Sequence, residues 1–238
     1  MPKSAAHPEV APPAIAEKQR RVGKVLIAAA LVVLFLLVVA GFLIGWFLYS
    51  QKSETPMTVA SFQADFQETN PKTGWRYLWN PVGEIGKITN YVPLVWNGVA
   101  YGPNDNPERP QPGPAHYVRI SKSGGHPGHG KPQRGDIDTY AIFAFTVTNH
   151  GFYVITNSQF GRHDANKNGD VNLRVYINET LAGPEIIGDS KTTVPFDRPL
   201  GDLNAGDSVY VAVGPNGMDR NDGFQLDFTL DRYRSKKR

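Results

Sequence analysis

Residues 224–233, FQLDFTLDRY, decide the fold. Phe224, Leu226, Phe228 and Leu230 fall on one side of the chain, with polar residues between them. A period of two is the period of a strand. Residues 171–177, VNLRVYI, repeat the pattern with Val171, Leu173, Val175 and Ile177. One buried face and one wet face is how an antiparallel sandwich strand reads.

Working outward, further β-branched and aromatic runs stand at 58–66, 75–79, 91–96, 116–121, 139–148, 151–157, 192–196 and 207–213. Gly, Pro, Asn and Asp clusters separate them. No stretch after residue 50 carries a 3.6-residue apolar period. About ten strands and no helix predict an all-β, two-sheet antiparallel sandwich of jelly-roll type. TNHG at 148–151 reads as a hairpin turn between two apolar runs. Residues 97–138, rich in Pro and Gly, form a long irregular excursion with one short strand, and such loops serve function or partners.

The N-terminal segment is different. Val25 to Tyr49 is a run of 25 residues without a charge. At about 1.5 Å per residue it exceeds a hydrocarbon core of roughly 30 Å. A cleavable signal peptide has an apolar core of only about 7–15 residues. Trp46, Phe47 and Tyr49 at its end suit an interfacial aromatic belt. The expectation is a transmembrane helix, an uncleaved signal anchor, and Gly41 and Gly45 in it form a G-x-x-x-G face for helix packing. Lys18, Arg20, Arg21 and Lys24 precede the span and only Lys52 follows closely, which places the N-terminus in the cytoplasm. The expected domains are a cytoplasmic Pro/Ala-rich tail (1–24), the helix (25–49), a linker (50–57), an extracytoplasmic sandwich (58–233) and a basic tail (234–238). The location that fits is the bacterial inner membrane, with a periplasmic domain.

The net charge of +3 hides two regions. Residues 51–231 carry 15 Lys/Arg against 20 Asp/Glu, a net of −5, and the last seven residues add +5. A nucleic-acid reader places its basic face on the domain itself, so no nucleic-acid partner is expected. There is no cysteine, which excludes disulfides and thiol nucleophiles.

DANKNGDVN at 164–172 begins like a calcium loop. Asp164, Asn166, Asn168 and Asp170 occupy alternate positions and Gly169 stands at the turn. Asn172 continues the match to position nine, but position twelve is Val175 where a bidentate acid belongs. A carboxylate from elsewhere, Asp219 or Asp222, would have to substitute. Otherwise the stretch is a polar loop with Asn-Gly at its turn, and no cofactor other than calcium is expected. His126 and His129 form H-x-x-H in a Gly/Pro loop, with His116 and His163 elsewhere, and no H-E-x-x-H supports zinc catalysis. Asp136/Asp138 or Asp219/Asp222 could be posed as glycosidase pairs. Acids are plentiful in such loops, however, and no G-x-S-x-G or P-loop accompanies them, so a non-enzyme is expected. In WRYLW, Trp75, Tyr77 and Trp79 share one face. Exposed, they would make a sugar-stacking platform; the preferred reading is core.

GWRYLW, GGHPGHG, VNLRVYIN and LNAGDSVYVAVGPNGMDRNDGFQLDFTL together resemble the jelly-roll domains of bacterial secreted and surface proteins, akin in fold to carbohydrate-binding modules. The likeness spans roughly 60–230 and implies the fold, with little about function. In its pattern, His126–Pro127 and Gly206–Asp207 belong to turns. The functional expectation is a membrane-anchored accessory subunit that touches lipid and braces a larger integral-membrane complex. Photosynthetic reaction-centre–antenna and respiratory complexes are the hosts to test. The alternative is a membrane-tethered carbohydrate-binding module.

Overall fold

The alternating run at 224–233 becomes one ten-residue strand, β15 (Phe224–Tyr233), at the middle of a sheet. In the computed structural model the described residues are 39, 55–82, 84–106, 115, 117–128, 137–163, 169–189, 192–217 and 222–233. The chain divides into two units, Met1–Ser53 and Glu54–Arg238. Within the first, Val39 alone is described, and it is helical and exposed. The rest of the expected span 25–49, with Gly41 and Gly45, lies outside the described residues. Among the described residues, no helix is long and apolar enough to cross a membrane.

The second unit is built on two antiparallel sheets, with strands numbered along the chain. Sheet A runs β13 (Arg198–Leu203), β9 (Gly151–Arg162), β15, β7 (Gly124–His126), β6 (Arg119–Ser121), β5 (Tyr101–Gly102) and β4 (Val95–Trp96). In addition, β1 (Met57–Ser61) pairs with β15. Sheet B runs β11 (Thr180–Leu181), β10 (Val171–Ile177), β14 (Ser208–Gly214), β8 (Ala141–Thr146), β2 (Trp75–Trp79) and β3 (Val92–Pro93). Beside them β12 (Ile186–Gly188) pairs with β10.

The inward residues of both sheets meet in one core. Phe224, Leu226, Phe228 and Leu230 from sheet A face Val171, Leu173, Val175, Val209, Val211 and Val213 from sheet B. Phe62 sits at the centre, fully buried, with its ring 4.7 Å from Phe143 and 6.1 Å from Phe228. It comes from a single helical turn, Phe62–Asp65, where sequence reading extends the strand through residue 66. The main-chain N–H of Ser61 donates to Asp65 Oδ2 (3.0 Å), and Trp75 Nε1 donates to the same oxygen (3.2 Å). These bonds close the turn onto β2.

Three further expectations change. TNHG is no hairpin: β8 pairs with β14 and β2 in sheet B, and β9 pairs with β13 and β15 in sheet A, so the turn carries the chain between sheets. The run at 91–96 is two strands, one in each sheet, with Leu94 buried where the chain crosses. The wet outer face predicted for each sheet exists on sheet A only. Sheet B carries a second apolar layer of Leu78, Tyr140, Ile142, Ala144, Tyr176, Tyr210 and Ala212, packed against Ile85 and Tyr91. Residues 97–138 also hold more strand than expected, namely β5, β6, β7 and a bridge between Gly128 and Thr139.

Candidate functional site

At one end of sheet A, β7, β9 and β15 come into register, with Phe224 opposite both Arg162 and Gly125. Only glycine permits this approach. A Cβ on Gly124 would stand 2.0 Å from the Phe224 carbonyl oxygen, and one on Gly125 would stand 2.2 Å from that of Arg119. Gly124–His126 is therefore strand, and His126, expected in a turn, lies in β7, buried, its ring 5.1 Å from Tyr117. The other expected turn is found, since Asp207 Oδ2 accepts from Asn204 N (2.7 Å) around Gly206 at φ +97.

The registered strands bring Arg162 (1% exposed) to the edge of the core, and the chain entering β15 buries Asp222 completely (0%). Among the described residues, neither oxygen of the Asp222 carboxylate has a hydrogen-bond partner. Burial pushes this carboxyl up to about 8; Arg162 opposes the rise, and Asp170 and Asp138 reinforce it. Both acids come from the neighbouring end of sheet B. Asp138 leads into β8, held by Asn80 through its Nδ2 on the Asp138 carbonyl (3.1 Å) and its Oδ1 on Tyr140 N (2.6 Å). Asp170, half-buried, leads into β10. A fully buried carboxylate without donors is costly in either protonation state.

The structure reshapes the calcium-loop expectation. Asp164, Asn166 and Asn168 lie outside the described residues, as do Asp136, Asp219, His116 and His129. Asp170 is described, and its charge helps to raise the carboxyl of Asp222, one of the two substitutes that the sequence offers. At position nine, Asn172 Nδ2 donates to Glu185 Oε1 (2.6 Å) and to the Tyr140 hydroxyl (3.3 Å), while its Oδ1 is buried and, among the described residues, has no hydrogen-bond partner. Position twelve, Val175, is in the core. Among the described residues, no three His, Cys, Asp or Glu side chains gather into a group able to hold a metal ion.

Trp75, Tyr77 and Trp79 all point into the core, at 4%, 2% and 7% exposure. Tyr77 packs 4.7 Å from Tyr101 and Trp75 packs 5.3 Å from Phe145. These three rings form no sugar platform, because their shared face is the one sheet B buries.

Two features escape sequence reading. The first is a polar groove of about 190 Å³ beside the Asp222 end, lined by Gln63, Gln159, His163, Thr193, Gln225 and Asp227 among others. His163 N donates to the Gly223 carbonyl (2.6 Å), which joins this groove to the segment carrying Asp222. The second is an apolar margin: Val82, Ile88, Val92, Val95 and Val99 are 62%, 40%, 42%, 43% and 64% exposed. Arg162, too, carried no signal, being one cation at the end of a strand.

No family model matches the chain, and no curated protein matches it. Among solved structures it is similar to the crystal structure of an exo-β-1,3-galactanase from Phanerochaete chrysosporium with galactose, at 15% identity and a TM-score of 0.25. That match covers 76% of this chain and 29% of the galactanase chain. A likeness of that degree carries no argument about activity.

Proposed function

We propose that the chain is a non-enzymatic accessory subunit, anchored by residues 25–49 in a bacterial inner membrane, whose periplasmic sandwich braces a larger integral-membrane complex. The apolar margin carries this reading. Five exposed valine and isoleucine residues fall between positions 82 and 99, where both sheets run out: β3 ends sheet B and β4 ends sheet A. Each edge strand is only two residues long. Apolar side chains beside an open edge are a liability in an isolated protein and an asset at a protein contact. We read the alternation of β8, β9, β10, β13, β14 and β15 between sheets as a jelly roll, a fold suited to such scaffolding. Photosynthetic and respiratory complexes are the first hosts to test.

The test is mild-detergent extraction of tagged full-length protein, followed by native gel and mass spectrometry. Stoichiometric migration with a large complex is expected. A Val95→Asp/Val99→Asp variant should leave that complex while keeping its melting temperature. Wild-type protein running alone would sink the reading.

The polar groove favours a second reading, a tethered carbohydrate-binding module. Its amides, hydroxyl and carboxylate suit the hydroxyls of one sugar ring. Titration of the protein with soluble polysaccharides, against a Gln159→Ala variant, separates the two: saccharide binding lost in the variant supports the module.

A further inference from the structure

At the end of β15 away from Asp222, sheet A finishes in an edge of another character. Four strands meet there in register. Met57 of β1 stands opposite Arg232 of β15, Tyr233 opposite Phe152 of β9, and Phe152 in turn opposite Asp202 of β13. Phe152 is 38% exposed, with the Tyr233 ring edge-on at 6.4 Å, and Met57 is 45% exposed. Further along β9 the exposed residue is Gln159, so the wet face turns from polar to aromatic towards this edge. Cations gather here too. The Arg232 stem lies across Gly151, where a Cβ would stand 2.8 Å from its Cγ, and Arg234, Lys236, Lys237 and Arg238 follow in the sequence. Two acids oppose these five: exposed Asp202, and Asp231, whose oxygens accept from the Thr58 and Thr156 hydroxyls (2.7 and 2.8 Å).

We propose that this edge of sheet A, with the basic residues that follow β15, docks on anionic phospholipid headgroups. The proposal rests on the reading of 25–49 as a membrane anchor and needs no host complex. Seven residues separate Tyr49 from Met57, and at about 3.5 Å per residue the chain between them reaches at most about 30 Å. A bilayer that holds 25–49 therefore holds the first residue of β1 within that distance, and Arg232 stands opposite that residue. Two aromatic rings and one methionine are too small a patch for a stable protein contact. Aromatic residues at headgroup depth, flanked by Lys and Arg, are instead how an interfacial surface is built. The long basic stems lie along apolar surface while their heads reach phosphate.

The chain has no cysteine, so one engineered cysteine takes a fluorophore at a single place. His150→Cys labels the exposed approach to β9, and Gln159→Cys labels the same strand about 30 Å further on. Labelled full-length protein is placed in nanodiscs of phosphatidylcholine, with or without phosphatidylglycerol, and a quencher on the lipid headgroup reports contact. With phosphatidylglycerol, quenching at 150 should exceed that at 159 several-fold. It should fall to the level at 159 without phosphatidylglycerol, or at about 1 M salt, where the screening length is about 3 Å. Lys236→Ala and Lys237→Ala should each weaken docking about fivefold with the melting temperature unchanged. Equal quenching at both positions, quenching at 150 indifferent to salt and phosphatidylglycerol, or full quenching in the double variant overturns the proposal. Alkaline carbonate extraction of membranes tests the anchor separately. Release of the chain sinks the anchor and this proposal with it, whereas a retained chain without salt-sensitive quenching sinks this proposal alone.

Discussion

The two sheets share a core and differ on their outer faces. Strand β15 of sheet A alternates buried and half-buried residues along most of its length, and β9 alternates buried with half-buried or exposed ones from Gly151 to Phe160, with one break at Thr156–Asn157. In sheet B, β14 is buried at every position and β8 at all but its last. Sheet A meets solvent with Gln159, Gln225 and Asp227, whereas sheet B is roofed by Ile85 and Tyr91. One sheet therefore works as a wall with a wet side, and the other as the middle layer of three. Function on sheet A can be polar and exposed. On sheet B it is confined to the ends and the margin.

The largest test concerns what the sheets share. Phe62→Ala removes the ring between Phe143 and Phe228 and should cost about 3–5 kcal/mol, the range for a buried aromatic. Chemical denaturation would measure it. A loss below about 1 kcal/mol would mean that the sheets do not depend on a common centre.

The next test sets the Asp222 end against the dry core. Asp222 holds its proton more tightly folded than unfolded, since its folded value of about 8 lies above the ordinary carboxylate range. The folded state then binds more protons between about pH 4 and pH 8, so stability falls as pH rises through that window. Arg162 moderates the fall, while Asp170 and Asp138 deepen it. A loss of roughly 2–4 kcal/mol across the window is expected. Asp222→Asn should flatten the profile. A wild-type profile already flat would show that the carboxylate finds a donor.

Smaller again is the roof of sheet B. Tyr91 stacks edge-on to Tyr210 at 5.4 Å, and its hydroxyl accepts from Gly86 N at 2.9 Å. Tyr91→Ala should cost about 1–3 kcal/mol and wet the outer face, which binding of a hydrophobic dye would report. An unchanged melting temperature would reduce the roof to a loose flap.

How much of this could be read beforehand follows the same division. Sheet A was legible because Phe224, Leu226, Phe228 and Leu230 alternate with residues that stay wet. In sheet B, a run such as Ala141–Phe145 shows strand but no face, because both faces are covered and every position is apolar. Connection was harder still. TNHG looks the same whether it joins paired neighbours or carries the chain across the core, since the choice is settled by partners 64 residues away, such as Val209 opposite Phe145. Asp170 and Asp222 were both in view as oxygen donors. Their electrostatic coupling, and the burial of Arg162, depend on strand register that no local pattern encodes.

The smallest expected effect sharpens the comparison most. Gln159, exposed on β9, and Asp227, half-buried on β15, stand on the wet face beside the groove. Gln159→Ala should change stability by no more than about 0.5 kcal/mol, as for most exposed substitutions. Asp227 is less expendable: its Oδ1 accepts from Phe228 N (2.9 Å) and Gln63 N (3.3 Å), so Asp227→Ala should cost about 1–2 kcal/mol. The pair divides the groove into a residue that holds the sheet and one that does not. If Gln159→Ala leaves the melting temperature unchanged yet alters binding of a saccharide or of the host complex, the wet face is a working surface. If it changes neither, the margin at 82–99 is left as the surface that sheet geometry offers to a partner.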